Sequence, residues 1–116
     1  MSKNIISDKS FEFSIKIVKL CKRLYQDKEY VVSHQLLKSG TSIGANIEEA
    51  QYAQSKKDFI SKLSISLKEA AETRYWLRLL LETNSEYINE LNDLLKECTD
   101  LIKLLAKAVK NSKLSL

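Results

Sequence analysis

The chain has 116 residues, no proline and only two glycines, and 44% of it is hydrophobic. That is enough for a single domain spanning residues 1–116 with a real core, and the missing turn residues exclude hairpin-built sheets and sandwiches, so the expected class is all-α. Nineteen Lys and Arg against fifteen Asp and Glu leave a net charge of +4, a mild bias toward anionic partners, and no apolar run approaches the roughly twenty residues that span a bilayer.

A first helix is expected from near Ser10 to Tyr25, with Phe13, Ile17, Leu20 and Leu24 on one stripe and Phe11, Ile15 and Val18 widening it. The polar run QDKE, Gln26 to Glu29, ends it. A second helix, about Val31 to Tyr52, carries Leu36, Gly40, Ile43, Ile47 and Ala50 at alternating spacings of three and four. Gly40 and Gly44 both fall inside it. Each costs roughly 1 kcal/mol against alanine in a helix, so their shared face points to a neighbouring backbone too close for side chains, and Gly44→Leu is expected to block that approach. The Gly-x-x-x-Gly spacing also occurs in membrane helix dimers, but the apolar host such dimers need is absent.

Ser55 and Asp58 form a capping arrangement that opens a third helix, running to about Glu82. Its seam is Phe59, Leu63, Leu67, Ala70, Leu77 and Leu81, interrupted by Arg74. Thr83 and Glu86 repeat the capping spacing for a fourth helix. There Ile88, Leu91, Leu95, Cys98, Ile102, Leu105 and Val109 form a heptad seam, with Tyr87, Leu94, Leu101 and Ala108 as a second apolar row. Four helices with short connections give an antiparallel up-down-up-down four-helix bundle. Apolar rows this broad exceed the needs of one protomer and point to self-association.

Cys21 and Cys98 occupy apolar helical positions, as buried thiols of a reducing compartment do. The segment MSKNIISDKS lacks the apolar core of a signal peptide, so the expected location is cytoplasmic with no membrane partner. His34 is the only histidine, and no Glu-x-x-His pair, Cys-His cluster or phosphate-binding glycine loop accompanies it, so no metal, cofactor or catalytic residue is expected.

Ser42, Asn46 and Glu49 share one flank of the second helix, which reads either as a solvated face or as a polar network. In the second case Asn46 and Glu49 meet Arg74 or Lys68, and Gly40, Ser42, Gly44, Asn46, Glu49 and Arg74 together mark helix packing or an oligomer interface. Lys16, Lys19 and Arg23 make a basic row on the first helix, and Lys103, Lys107 and Lys110 a second on the fourth. Acids early and lysines late in the fourth helix also suit the helix dipole, so the second row has a stability reading beside the ligand one. Two adjacent rows attract phosphate backbones without reading sequence. Tyr75 and Trp76 read either as base-stacking rings or as buried packing.

The stretch from Leu36 to Glu82, above all SIGANIEEA (Ser42 to Ala50) and SLKEAAETRYWL (Ser66 to Leu77), resembles the four-helix-bundle family of intervening-sequence proteins, encoded within bacterial large-subunit ribosomal RNA genes and at other loci. The first and fourth helices agree with that family in pattern only, and Ala50 stands where its members usually carry glycine. The resemblance implies a homo-oligomeric ring, commonly a pentamer, and a relation to the accessory protein of diversity-generating retroelements, which binds nucleic acid and a reverse transcriptase through a basic surface. It brings no catalytic residues. The expectation is a non-enzymatic ring-forming bundle that binds RNA or DNA through Lys16, Lys19, Arg23, Lys103, Lys107 and Lys110; the alternative is a scaffold for a partner protein.

Overall fold

The computed structural model describes residues 5–115, so the first four residues of the N-terminal segment lie outside it. Four helices follow one another: α1 (Ile5–Gln26), α2 (Tyr30–Ala50), α3 (Lys56–Thr83) and α4 (Ile88–Leu114). Among the described residues each helix packs on its two neighbours in the order α1, α2, α3, α4 and back to α1, and neither diagonal pair packs together. The product is the expected antiparallel bundle, a rod measuring 46 × 23 × 21 Å.

The first stripe of α1 is wholly buried, with Phe13, Ile17, Leu20 and Leu24 all at 0% exposure. The helix begins at Ile5 rather than near Ser10, because Ile6 adds a further turn packed against the core. It ends in a Schellman turn: the Glu29 amide donates to the Leu24 carbonyl at 2.9 Å and the Lys28 amide to Tyr25 at 3.0 Å. That turn holds Lys28 at φ 69°, in the left-handed region where glycine is at ease and an L side chain is strained. Lys28→Gly is therefore expected to stabilise the fold by about 1 kcal/mol, read as a higher urea midpoint at unchanged slope. An unmoved or lower midpoint would show no strain there.

Ser55 caps α3 as expected, its hydroxyl accepting from the Asp58 amide at 3.0 Å. Thr83 does not cap α4. It remains in α3, where its hydroxyl donates to the Leu79 carbonyl at 2.9 Å, and Asn84 ends that helix with its side chain accepting from the Glu86 amide at 2.8 Å. Tyr87 then precedes α4, and its phenol donates to Asp27 at 2.5 Å, tying this corner to the α1 terminus.

The seam of α3 differs from the expected one. Its buried line is Ile60, Leu63, Ser66, Ala70, Thr73, Leu77 and Leu80, with Phe59, Leu67 and Leu81 half-buried beside it. Arg74, expected to interrupt the core, is exposed, and Thr73 takes the inward position. A buried hydroxyl is tolerated when bonded. Thr73 donates to the Glu69 carbonyl at 2.8 Å and lies 2.9 Å from the Ser39 hydroxyl of α2, while Ser66 donates to the Ile43 carbonyl at 2.8 Å.

Both glycines lie against α1, but Gly40 makes the closer approach. A Cβ there would stand 2.8 Å from Ile17 Cγ2, whereas one at Gly44 would meet the Ser10 and Ser14 hydroxyls at 3.3 and 3.4 Å.

Both cysteines are buried free thiols, and Cys98 Sγ lies 3.3 Å from the Ala70 carbonyl. Burial pushes each up to about 12. The folded state thus holds both protons beyond the usual thiol range, so their stabilising contribution is complete below about pH 8.5 and is lost as pH rises toward 12. Neither thiol is expected to react with Ellman's reagent at about pH 8 until the chain unfolds. Rapid labelling of the native protein would contradict this burial.

Candidate nucleic-acid interface

The two basic rows identified in the sequence do not form one surface. On α1, Lys16 and Arg23 face α4, where Lys16 pairs with Glu97 at 2.8 Å and Arg23 with Glu90. Hydrogen bonding to these carboxylates raises both cations above their ordinary pKa values, and the Arg23 guanidinium also lies over the Tyr87 ring, 5.2 Å from its centroid. Glu90 and Glu97 recur at seven residues and therefore occupy one flank of α4, the α1 flank. Lys19 is exposed farther out on α1.

Lys103 and Lys110 lie seven residues apart, about a third of a turn from Glu90 and Glu97, on the side of α4 that leans toward α3, while Lys96 lines a groove on the α1 side with Lys16, Glu90, Asp93 and Glu97. The Cys98–Ala70 contact sets the antiparallel register, placing Lys57 level with Lys110 and Lys68 level with the stretch from Asp100 to Lys103. Lys57, Lys68, Arg74 and Arg78 of α3 complete the outer face of this helix pair, and all are exposed. From Lys57 to Arg78 the stripe is roughly 32 Å long at 1.5 Å per residue.

Among the described residues the ion pairs are Lys16–Glu97, Arg23–Glu90 and Lys62–Glu49, so no cation of the α3/α4 face is paired. Asp93 and Asp100 reach its α1 edge and Glu82 its upper end. Those two aspartates, with Glu90 and Glu97, separate it from the α1 row. Lys107 stands on the crown of α4 beside that edge.

The α3 cations were missed in the sequence because they are dispersed singly among serines and acids. A usable signal existed: Lys57, Ser64, Ala71 and Arg78 recur every seven residues with no acid among them.

On α2, Asn46 is half-buried and donates to the Ser42 carbonyl at 2.8 Å within its own helix. Glu49 is exposed and pairs with Lys62 at 3.1 Å, not with Arg74 or Lys68, because its flank faces the opposite side of α3 from Arg74. The polar flank is thus largely solvated within a protomer. Trp76 packs partly against the core and donates to Glu72 at 3.1 Å, while Tyr75 stays half-exposed, edge-on to Trp76 with ring centroids 5.0 Å apart.

The row that widened α1 stays largely exposed within the protomer, with Tyr25 held edge-on to Tyr30 of α2, ring centroids 4.9 Å apart. Phe11 is 68% exposed, Ile15 41% and Tyr25 63%, and with Val18 and Lys22 they repeat at four and three residues. Tyr30 and Leu37 of α2 extend this apolar face. No helix among the described residues is long and apolar enough to cross a membrane.

The chain is similar to a solved protein from Bacteroides thetaiotaomicron, described as a protein with unknown function from the S23 ribosomal protein family. The two are 50% identical with a TM-score of 0.87, over 91% of this chain and 99% of that one. No curated protein matches. Residues 2–107 match the family described as 23S rRNA-intervening sequence protein, and with that match reaching into all four helices, the chain belongs to this family.

Proposed function

We propose that this protein is a non-enzymatic, ring-forming helical bundle of the cytoplasm that binds RNA or DNA through the outer face of α3 and α4. The observation that carries the reading is the row of exposed, unpaired cations shared by two adjacent helices, beside an α1 row whose Lys16 and Arg23 are already matched by acids. Such a surface attracts phosphate backbones irrespective of sequence, and its affinity falls steeply with salt. The family's association with 23S rRNA intervening sequences supports RNA as a ligand. Retention of mixed-sequence RNA at low and moderate salt tests it; no retention at low salt removes it.

Self-association is the second part of the proposal. The exposed heptad row of α1 has the spacing that receives another helix, and a second copy of this chain supplies helices of matching length, in the pentamer the resemblance implies. Light scattering is expected to give several times the 13.3 kDa protomer mass, and Phe11→Glu/Ile15→Glu to reduce it to one protomer with helicity intact, since both side chains are exposed in the protomer. A wild-type protomer that stays single at high concentration would remove this part. The same face also supports the alternative of a partner-protein scaffold, which a stoichiometric protein partner retained after nuclease treatment would favour.

A further inference from the structure

We propose that the occupant of the α3/α4 face is double-stranded nucleic acid, held by both phosphate backbones with no reading of bases; this rests on the nucleic-acid function proposed above. The face presents two antiparallel rows, Lys57, Lys68 and Arg78 on α3 and Lys103 and Lys110 on α4. Packed helix axes lie about 8–10 Å apart, so the rows are separated by a distance comparable to a duplex groove, whose major form is about 12 Å wide. A duplex offers a phosphate strand on each side of a groove, and both rows find a partner. A single strand has one.

The residues between the cations support the same ligand. Ser64, Ala71, Thr99 and Ala106 are small, and Arg74, the long exposed side chain that reaches toward α4, is itself a cation for phosphate. Single-strand surfaces combine a basic track with aromatic platforms on which successive bases stack. Among the described residues the exposed aromatic of this face is Tyr75, at the upper end and braced edge-on by Trp76, while Phe11, Tyr25 and Tyr30 lie on the α1/α2 side. An anionic membrane needs a row of apolar side chains to bury in lipid beside the lysines. Among the described residues this face has Tyr75 and Ile88 at one end and Leu114 at the other, with no such row between them.

Binding of the full chain to labelled 20-mers tests the assignment, using mixed-sequence RNA and DNA as duplexes and as single strands, with anionic phosphatidylserine vesicles as a third arm. The expected result is duplex binding at least about tenfold tighter than single-strand binding at low salt, with a log–log salt slope between about −4 and −6, each engaged phosphate contributing about −0.9. Lys103→Glu/Lys110→Glu, whose side chains are exposed and whose helicity is checked by circular dichroism, is expected to remove that preference. Equal or tighter single-strand binding, a slope shallower than about −2, or vesicle binding as strong as duplex binding would overturn the duplex assignment while any nucleic-acid binding stands. Failure to bind any nucleic acid would overturn the function itself.

Discussion

Reversing three cations of the α3/α4 face, in Lys68→Glu/Lys103→Glu/Lys110→Glu, is expected to weaken RNA or DNA binding on the order of 100- to 1,000-fold at about 50 mM salt. Each cation seated on a phosphate releases a counterion, worth roughly tenfold in affinity at that salt, and reversal adds repulsion where attraction was lost. All three side chains are exposed and unpaired, so the fold has no reason to change, and circular dichroism should overlay on the wild type. The comparison variant is Lys16→Ala/Arg23→Ala. These cations already sit on Glu97 and Glu90, and removing them frees the two carboxylates, so the expected loss is within about threefold. Fluorescence anisotropy with one labelled RNA reads both. Equal losses in the two variants would move the interface to the α1/α4 seam, and no loss in either would sink both locations.

Gly40→Leu is expected to destabilise the bundle by at least about 3 kcal/mol and to lower the melting temperature by more than about 10 °C. The added Cβ alone would stand 2.8 Å from Ile17 Cγ2 and 3.2 Å from Cγ1. Ile17 is fully buried and β-branched, so it has neither a free rotamer nor space to retreat into. The remaining leucine atoms would force α1 away from α2. Gly40→Ala is expected to cost less, about 1 kcal/mol, because relief of the helical glycine penalty offsets part of the clash. Gly44→Ala should be close to neutral, since a Cβ there meets the Ser10 hydroxyl at 3.3 Å and the Ser10 carbonyl and Ser14 hydroxyl at 3.4 Å, the edge of ordinary contact, beside an open groove lined by Phe11, Thr41 and Ala45. Thermal melts of the three variants should rank Gly40→Leu lowest and Gly44→Ala nearest wild type. A melt of Gly40→Leu within a few degrees of wild type would mean that the helices part readily there.

Much of the fold was legible because helix formation and heptad spacing are local. The stripe Phe13, Ile17, Leu20 and Leu24 and the line Leu36, Gly40, Ile43, Ile47 and Ala50 are buried as their spacing requires. The Ser55 cap needs only a hydroxyl three residues from a free amide. Errors arose where burial depended on a partner. Thr73 displaced Arg74 from the centre of α3 because its hydroxyl is satisfied there, donating to the Glu69 carbonyl and lying against the hydroxyl of Ser39, 34 residues earlier. Thr83 failed as a cap because its hydroxyl found the Leu79 carbonyl behind it, and α3 ran on for one more residue.

The sequence by itself determined four amphipathic helices and their approximate ends from spacing within each segment, and their antiparallel order from the short connections. The apolar surplus expected from the second row of α4 lies on α1 instead, since Leu94 and Leu101 are buried and Phe11 and Ile15 are not. Only the tertiary structure decided which cations remain unmatched. Lys16 and Arg23 meet acids 81 and 67 residues away, and the α3 lysines and arginines join those of α4, because the rotational phase of each helix against its neighbours sets which flanks face each other. Charge pairing falls off within about 10 Å at ordinary salt, so a lysine's availability depends on those neighbours and not on its own stretch of chain.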